Sequence, residues 1–154
     1  MISEEQINSA EIPNMMIFYT DNAVKVIDDD TFVPLVYADI MPYYLINRKG
    51  EIFSIVSNRI LTPRVNQKKY LMIDLMTRRR RDKTFLFDIH VLVANTFVDN
   101  PLPGVYKIIN HIIPNDGTPE CNYYKNLEWC TTSQNNRLAW KERKRKKEEQ
   151  EREN

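Results

Sequence analysis

No run of eighteen or more apolar residues occurs in these 154 residues, which excludes a membrane-crossing helix. The start, Met1-Ile2-Ser3-Glu4-Glu5, lacks the basic-then-apolar layout of a secretory leader, so the expectation is a soluble protein of the cytoplasm with no membrane partner. Cysteine is confined to Cys121 and Cys130, too few for a disulfide framework or a four-cysteine zinc site, and two buried thiols are expected. Internal repeats are absent, and only the charged C-terminal tail is of low complexity. What is present suffices for a fold. Hydrophobic residues make up 42% and charged residues 28%, so the chain can bury a core, and its length fits one compact domain with at most a small appendage.

The net charge of +1 conceals a division along the chain. Residues 1–40 carry eight Asp or Glu against Lys25 alone, whereas residues 41–140 carry fourteen Lys or Arg against eight acids. Such an asymmetry points to a polyanionic partner, nucleic acid above all. The cations that would meet phosphate are Arg48, Lys49, Arg59, Arg64, Lys68 and Lys69, together with the run Arg78, Arg79, Arg80 and Arg81.

Hydrophobic periodicity supplies the elements. Met15 to Tyr19 and Val24 to Ile27 alternate weakly and fit short strands before the turn Asp28-Asp29-Asp30. Two strand-like runs flank the turn in Tyr44-Leu45-Ile46-Asn47-Arg48-Lys49-Gly50-Glu51-Ile52-Phe53-Ser54, which reads as a hairpin. Tyr70–Leu75 and Thr84–Asp88 read as two more strands with the arginine run in the turn between them. At Asp88 the period changes: Ile89, Leu92, Val93, Thr96 and Phe97 recur at helical spacing, with Asp88 placed to cap. After the break Asn100-Pro101-Leu102-Pro103-Gly104, a buried strand is expected over residues 106–112 and a second over Leu127–Cys130. Thr131-Thr132-Ser133-Gln134 spells a capping box, so a helix starts there and runs through Trp140 into a charged tail that should fray without a partner. Trp129 and Trp140 are expected in core and helix packing.

Strand, loop, strand and helix can build a nest for one divalent metal. Asn110 and His111 stand at a strand end, and Asn135 stands in the first turn of the helix. Two amide oxygens on a shared Mg2+ or Mn2+, with phosphate and water completing the shell, suit a hard cation. A neutral imidazole beside it can take a proton from water at neutral pH. Four stretches, Tyr44 to Ser54, His90-Val91-Leu92-Val93-Ala94-Asn95-Thr96-Phe97, Ile109-Asn110-His111-Ile112, and Lys125-Asn126-Leu127-Glu128-Trp129-Cys130-Thr131, taken in this order resemble HNH endonucleases of the phage and intron homing type. The resemblance implies an α+β fold with a ββα-metal (HNH, or His-Me finger) nuclease core preceded by a small β-rich module. It implies His111 as general base, Asn110 and Asn135 as metal ligands, and Asn126 as the middle Asn that ties the hairpin loop. His90 is expected to be structural. The chain departs from the family where Ile112-Ile113-Pro114-Asn115 precede the Asp116-Gly117 turn, and where Val91 follows His90 in place of a basic residue.

The organisation expected is an acidic extension over 1–39, a β-rich basic DNA-binding module over 40–88, the nuclease core over 89–140 and a charged helical tail over 141–154. The reaction implied is metal-dependent hydrolysis of double-stranded DNA, as a nick because one metal site cuts one strand at a time. The acidic extension would dock a protein partner or cover the basic groove, and a phage-encoded enzyme would work in the host cytoplasm. The competing reading is a non-catalytic DNA-binding or structural component of a phage or nucleoprotein assembly that keeps the fold.

Overall fold

The computed structural model describes residues 28–153, so the strands expected at Met15–Tyr19 and Val24–Ile27 lie outside the described residues. Among the described residues nine strands form three antiparallel sheets and two α-helices accompany them. The first sheet joins β1 (Val33–Pro34), β2 (Tyr44–Ile46), β3 (Ile52–Ser54) and β4 (Arg59–Ile60) in chain order. The second joins β5 (Arg64–Val65), β6 (Leu71–Met76) and β7 (Thr84–Asp88), and the third is the ribbon of β8 (Ile108–His111) and β9 (Leu127–Cys130). Helix α1 spans Ile89–Phe97 and helix α2 spans Thr132–Glu153.

The expected hairpin forms, with Tyr44 opposite Ser54 and Ile46 opposite Ile52. Its turn is organised by the buried Asn47, whose Oδ1 accepts the backbone N–H groups of Lys49 (3.1 Å) and Glu51 (3.0 Å). Gly50 completes the turn at φ +84°, a conformation that a side chain disfavours. A Cβ there would lie 2.8 Å from Ile89 Cγ2 and 3.2 Å from Val93 Cγ2, because α1 packs directly on the turn. Gly50→Ala is therefore expected to destabilise the fold by about 2 kcal/mol or more, read as a lower denaturant midpoint at unchanged slope. An unchanged midpoint would mean that α1 does not rest on this turn.

Strand β6 alternates as expected, with Leu71, Ile73 and Leu75 buried and the residues between them half-exposed. These three join Leu35, Ile46, Ile52, Ile89, Leu92, Val93 and Leu127 in one hydrophobic core. That core crosses the divisions drawn from the sequence at residues 39 and 88. β1 pairs with β2, Leu35 is buried, and β7 runs into α1 without a linker, because neither the hairpin nor the helix can bury its apolar side alone. Asp88 occupies the N-cap position of α1 but makes no side-chain capping bond.

The C-terminal region keeps the expected charged helical tail and departs from expectation at Trp140. Helix α2 continues through the tail as one 22-residue helix, with ion pairs at i,i+4 from Glu142 to Lys146, Lys144 to Glu148, Arg145 to Glu149 and Lys147 to Glu151. Trp140 is 61% exposed on this helix, not packed. Trp129 is half-buried and donates its Nε1–H to the carbonyl of Val98 at 3.0 Å.

Candidate active site

Strands β8 and β9 set Asn110 opposite Glu128 and His111 opposite Leu127. All four residues of β8 are half-buried, not buried as the run of isoleucines suggested, because one side of this two-stranded ribbon faces a cavity. The loop that closes the ribbon is tied by Asn126. Its carbonyl accepts Ile112 N–H (2.9 Å), its Oδ1 accepts Ile113 N–H (2.7 Å), and its Nδ2 donates to the carbonyls of Ile113 (3.2 Å) and Cys121 (2.9 Å). Further along, Asp116 Oδ1 accepts Thr118 N–H (2.8 Å) and the Cys121 thiol (3.0 Å), and these bonds, that of Cys121 first, hold its carboxyl down at a pKa of about 2. Both cysteines are buried free thiols.

The capping box sets the start of α2. Gln134 Oε1 accepts Thr131 N–H at 2.8 Å, and Thr131 Oγ1 accepts Gln134 N–H at 3.1 Å. The helix register fixed in this way turns Asn135, Leu138, Ala139 and Glu142 toward β8. Asn135, Asn110 and His111 consequently line one cavity of about 690 Å³, together with Lys68, Lys141 and Arg145. His111 is the last residue of its strand, where the alternation that would separate it from Asn110 ends.

Three rings meet at one wall. The centroid of His111 lies 5.0 Å from that of His90 and 6.0 Å from that of Tyr70, and Tyr70 and His90 are 5.2 Å apart. His111 Nε2 and His90 Nδ1 are buried nitrogens with no hydrogen-bond partner. Burial pushes the His111 pKa below its ordinary value, and a hydrogen bond with the buried Asn122 side chain offsets this in part. Burial, with the neighbouring His111, drives His90 down to about 4. Both imidazoles are thus neutral at pH 7, and His111 presents a free lone pair. His90, expected to hydrogen-bond the strand region, instead leaves Nδ1 unpaired beside the candidate base, because α1 packs against β8 as well as the core.

The depressed value for His90 has a consequence for stability. As pH falls below about 6.5 the unfolded chain takes up a proton that the folded chain refuses until about 4, so stability is complete above 6.5 and drains away across that window. The loss is at most about 3.5 kcal/mol at about 1.4 kcal/mol per pH unit. Thermal melts at pH 7 and 4.5 should therefore differ less for His90→Gln than for the unmodified chain, and equal differences would remove this account.

The donor set fits a hard divalent cation. Asn110 Nδ2 donates to Glu128 Oε1 at 2.8 Å, which leaves its Oδ1 free, and the Asn135 amide opens on the same cavity. Among the described residues no three His, Cys, Asp or Glu side chains gather as a metal cluster, so a cation here would rest on amide oxygens, phosphate and water.

Comparison with known proteins bears on the fold. No family model matches the sequence. The chain is 37% identical over 92 residues, 60% of its length, to an uncharacterized HNH endonuclease of Acanthamoeba polyphaga mimivirus. It is 33% identical over 110 residues, 71% of its length, to a second uncharacterized HNH endonuclease of that virus. Its fold matches the HNH homing endonuclease I-HmuI, a protein described as binding and cleaving DNA, with a TM-score of 0.54 and 28% identity over 68% of this chain and 57% of that one. Over these stretches the chain is similar to HNH endonucleases. It spans about a quarter of the length of the two viral relatives, 26% and 25%.

Within this HNH fold the expected DNA-contacting cations occupy different settings. Lys68 lines the cavity, and Lys69 stands beside it in a turn anchored to the HNH loop, since the Lys69 carbonyl accepts Asn115 Nδ2–H at 3.0 Å. Arg59, Arg78 and Arg81 are exposed. Arg64 pairs with Asp74, Arg79 with Asp39 and Arg80 with Asp82. Arg48 is half-buried over the Tyr124 ring, 4.8 Å from its centroid, and 3.7 Å from Asp29, which makes it part of the structure's interior packing. Lys49 pairs with Asp30, so the end of the acidic leader already holds two of these side chains. The arginine turn lies at the opposite end of the β6–β7 ribbon from Tyr70, about 26 Å away at about 3.3 Å per residue.

The sequence reading missed Tyr70, Asn122, Glu128, Lys141 and Arg145. For Lys141 and Arg145 a signal existed, because a helix begun at Thr131 and carrying Asn135 must bring later turns past the same cavity. No local pattern marks Tyr70 or Asn122, which reach the site through sheet packing and a 3₁₀ turn over Pro119–Asn122.

Proposed function

We propose that this chain is the nuclease unit of an HNH enzyme that cleaves double-stranded DNA by divalent-metal-dependent hydrolysis, one strand at a time. The observation that carries the reading is His111, whose Nε2 has no hydrogen-bond partner and which lines one cavity with Asn110, Asn135 and three cations. A scissile phosphate entering there meets Lys68, Lys141 and Arg145, whose charges hold it. His111 Nε2 takes the proton from an attacking water, and the Asn122 hydrogen bond keeps the ring in place for that transfer. Neutral His90 and Tyr70 wall the ring from one side and limit its rotation. Asn110 and Asn135 would hold the cation. When bound it supplies Lewis-acid stabilisation of the phosphate charge and of the leaving 3′ oxygen.

The test is conversion of supercoiled plasmid to open circles. Cleavage should require Mg2+ or Mn2+, stop on addition of EDTA and resume when the metal is restored in excess. Binding of plasmid without nicking under any divalent metal would leave a DNA-binding protein that retains the HNH fold.

A further inference from the structure

We propose that the loop following His111 is an apolar wedge, in which Ile112 and Ile113 enter the minor groove of duplex DNA and unstack a base step beside the bond to be cut. The inference rests on the nuclease reading of the adjoining cavity and adds how the duplex is deformed to reach it.

Ile112 is 57% exposed, Ile113 is 70% exposed, and Pro114 after them is exposed too. Single exposed apolar side chains are ordinary, but three in succession in a loop are not explained by folding. The loop is also held stiffly. Asn126 bonds the backbone on both sides of Ile113, Pro114 fixes its own φ, and Asn115 Nδ2 is bonded to the Lys69 carbonyl. The isoleucines therefore cannot turn inward, and little freedom is lost when they are gripped.

Charge identifies the occupant. Ile112 and Pro114 line the same cavity as Lys68, Lys141 and Arg145, against which Glu142 is the single acid. A cationic cleft with an apolar lip matches a phosphate backbone with stacked bases beside it, and does not match an acid-rimmed apolar protein groove's mirror image or a lipid surface, which would call for a broad apolar face. Ile113 lies two residues from His111, about 7 Å along an extended chain, or about two base steps of about 3.4 Å along one strand. An isoleucine side chain fits a minor groove about 6 Å wide, and such wedges kink a duplex by about 20–90°. A kink at that place turns the adjoining phosphate out toward the cavity.

The test uses the full chain and a duplex with 2-aminopurine placed at TA steps, which unstack readily, at low salt in EDTA so that nothing is cut. Binding is followed by anisotropy and unstacking by 2-aminopurine fluorescence. The unmodified chain should raise the fluorescence several-fold. The double variant Ile112→Ser, Ile113→Ser should abolish the rise while weakening binding less than tenfold, and Ile113→Leu should keep it. Both replaced side chains are exposed, so folding is not at stake. Binding without a rise, or a full rise from the double serine variant, overturns the wedge. Unstacking without plasmid nicking in Mg2+ overturns the nuclease reading alone, nicking without unstacking overturns the wedge alone, and failure to bind duplex at low salt overturns both.

Discussion

Replacing His111 by alanine is expected to lower the single-turnover rate of DNA cleavage about 10²- to 10⁴-fold while leaving the affinity for DNA within about twofold. The expectation follows from the placement of the ring. Its Nε2 is buried and unpaired, burial lowers the pKa of the ring, and the cations proposed to hold phosphate are Lys68, Lys141 and Arg145, none of which bonds to His111. Loss of the imidazole removes the proton acceptor and little else. Rapid-quench measurement at saturating enzyme separates the chemical step from binding, and a variant that cuts at the unmodified rate would strip His111 of its role. His90→Ala makes the companion measurement. A ring that only walls the site should cost less than His111 itself when removed, and a loss as large as that of His111→Ala would place both imidazoles in the proton path.

Asn110→Asp is expected to have the second largest effect, with opposite signs in two measurements. Asn110 now donates to Glu128 Oε1, so a carboxylate in its place would face another carboxylate with no proton between them. Without metal the variant should melt at a lower temperature than the unmodified chain. With Mg2+ the added charge should tighten apparent metal binding about tenfold or more, about 1.4 kcal/mol, and restore the melting temperature. Asn110→Ala should lose metal-dependent stabilisation altogether. If Asp and Asn forms titrate with the same Mg2+ midpoint in cleavage, the cation is held elsewhere.

Much of the site could be read from the sequence because its parts obey short-range rules. The capping box from Thr131 to Gln134 depends on residues three apart, and both of its bonds form. The extent of β9 matches the run Leu127–Cys130, and the register of the Tyr44–Ser54 hairpin follows from a turn set by Asn47 and Gly50. Other features were illegible for an equally physical reason. Nothing near His90 in the chain reports that β8, eighteen or more residues later, will pass 5.0 Å from its ring. The fate of a cation depends on its acidic neighbours in space. Arg48 and Arg64 look alike as letters, yet one is packed over Tyr124 beside Asp29 and the other is exposed and paired with Asp74.

The sequence by itself determined the Tyr44–Ser54 hairpin, strands β6 to β9, the two helices and their order, the start of α2 and the residue types able to activate water and hold a cation, but not the two-residue strands β1, β4 and β5. Periodicity and capping act within one or two turns of chain, so they survive without knowledge of the fold. The tertiary structure alone decided that one core spans the hairpins and α1 and that Tyr70, His90 and Asn122 surround His111. Those outcomes depend on how amphipathic elements bury their apolar faces against one another, and that choice is made over distances at which neighbouring letters carry no information.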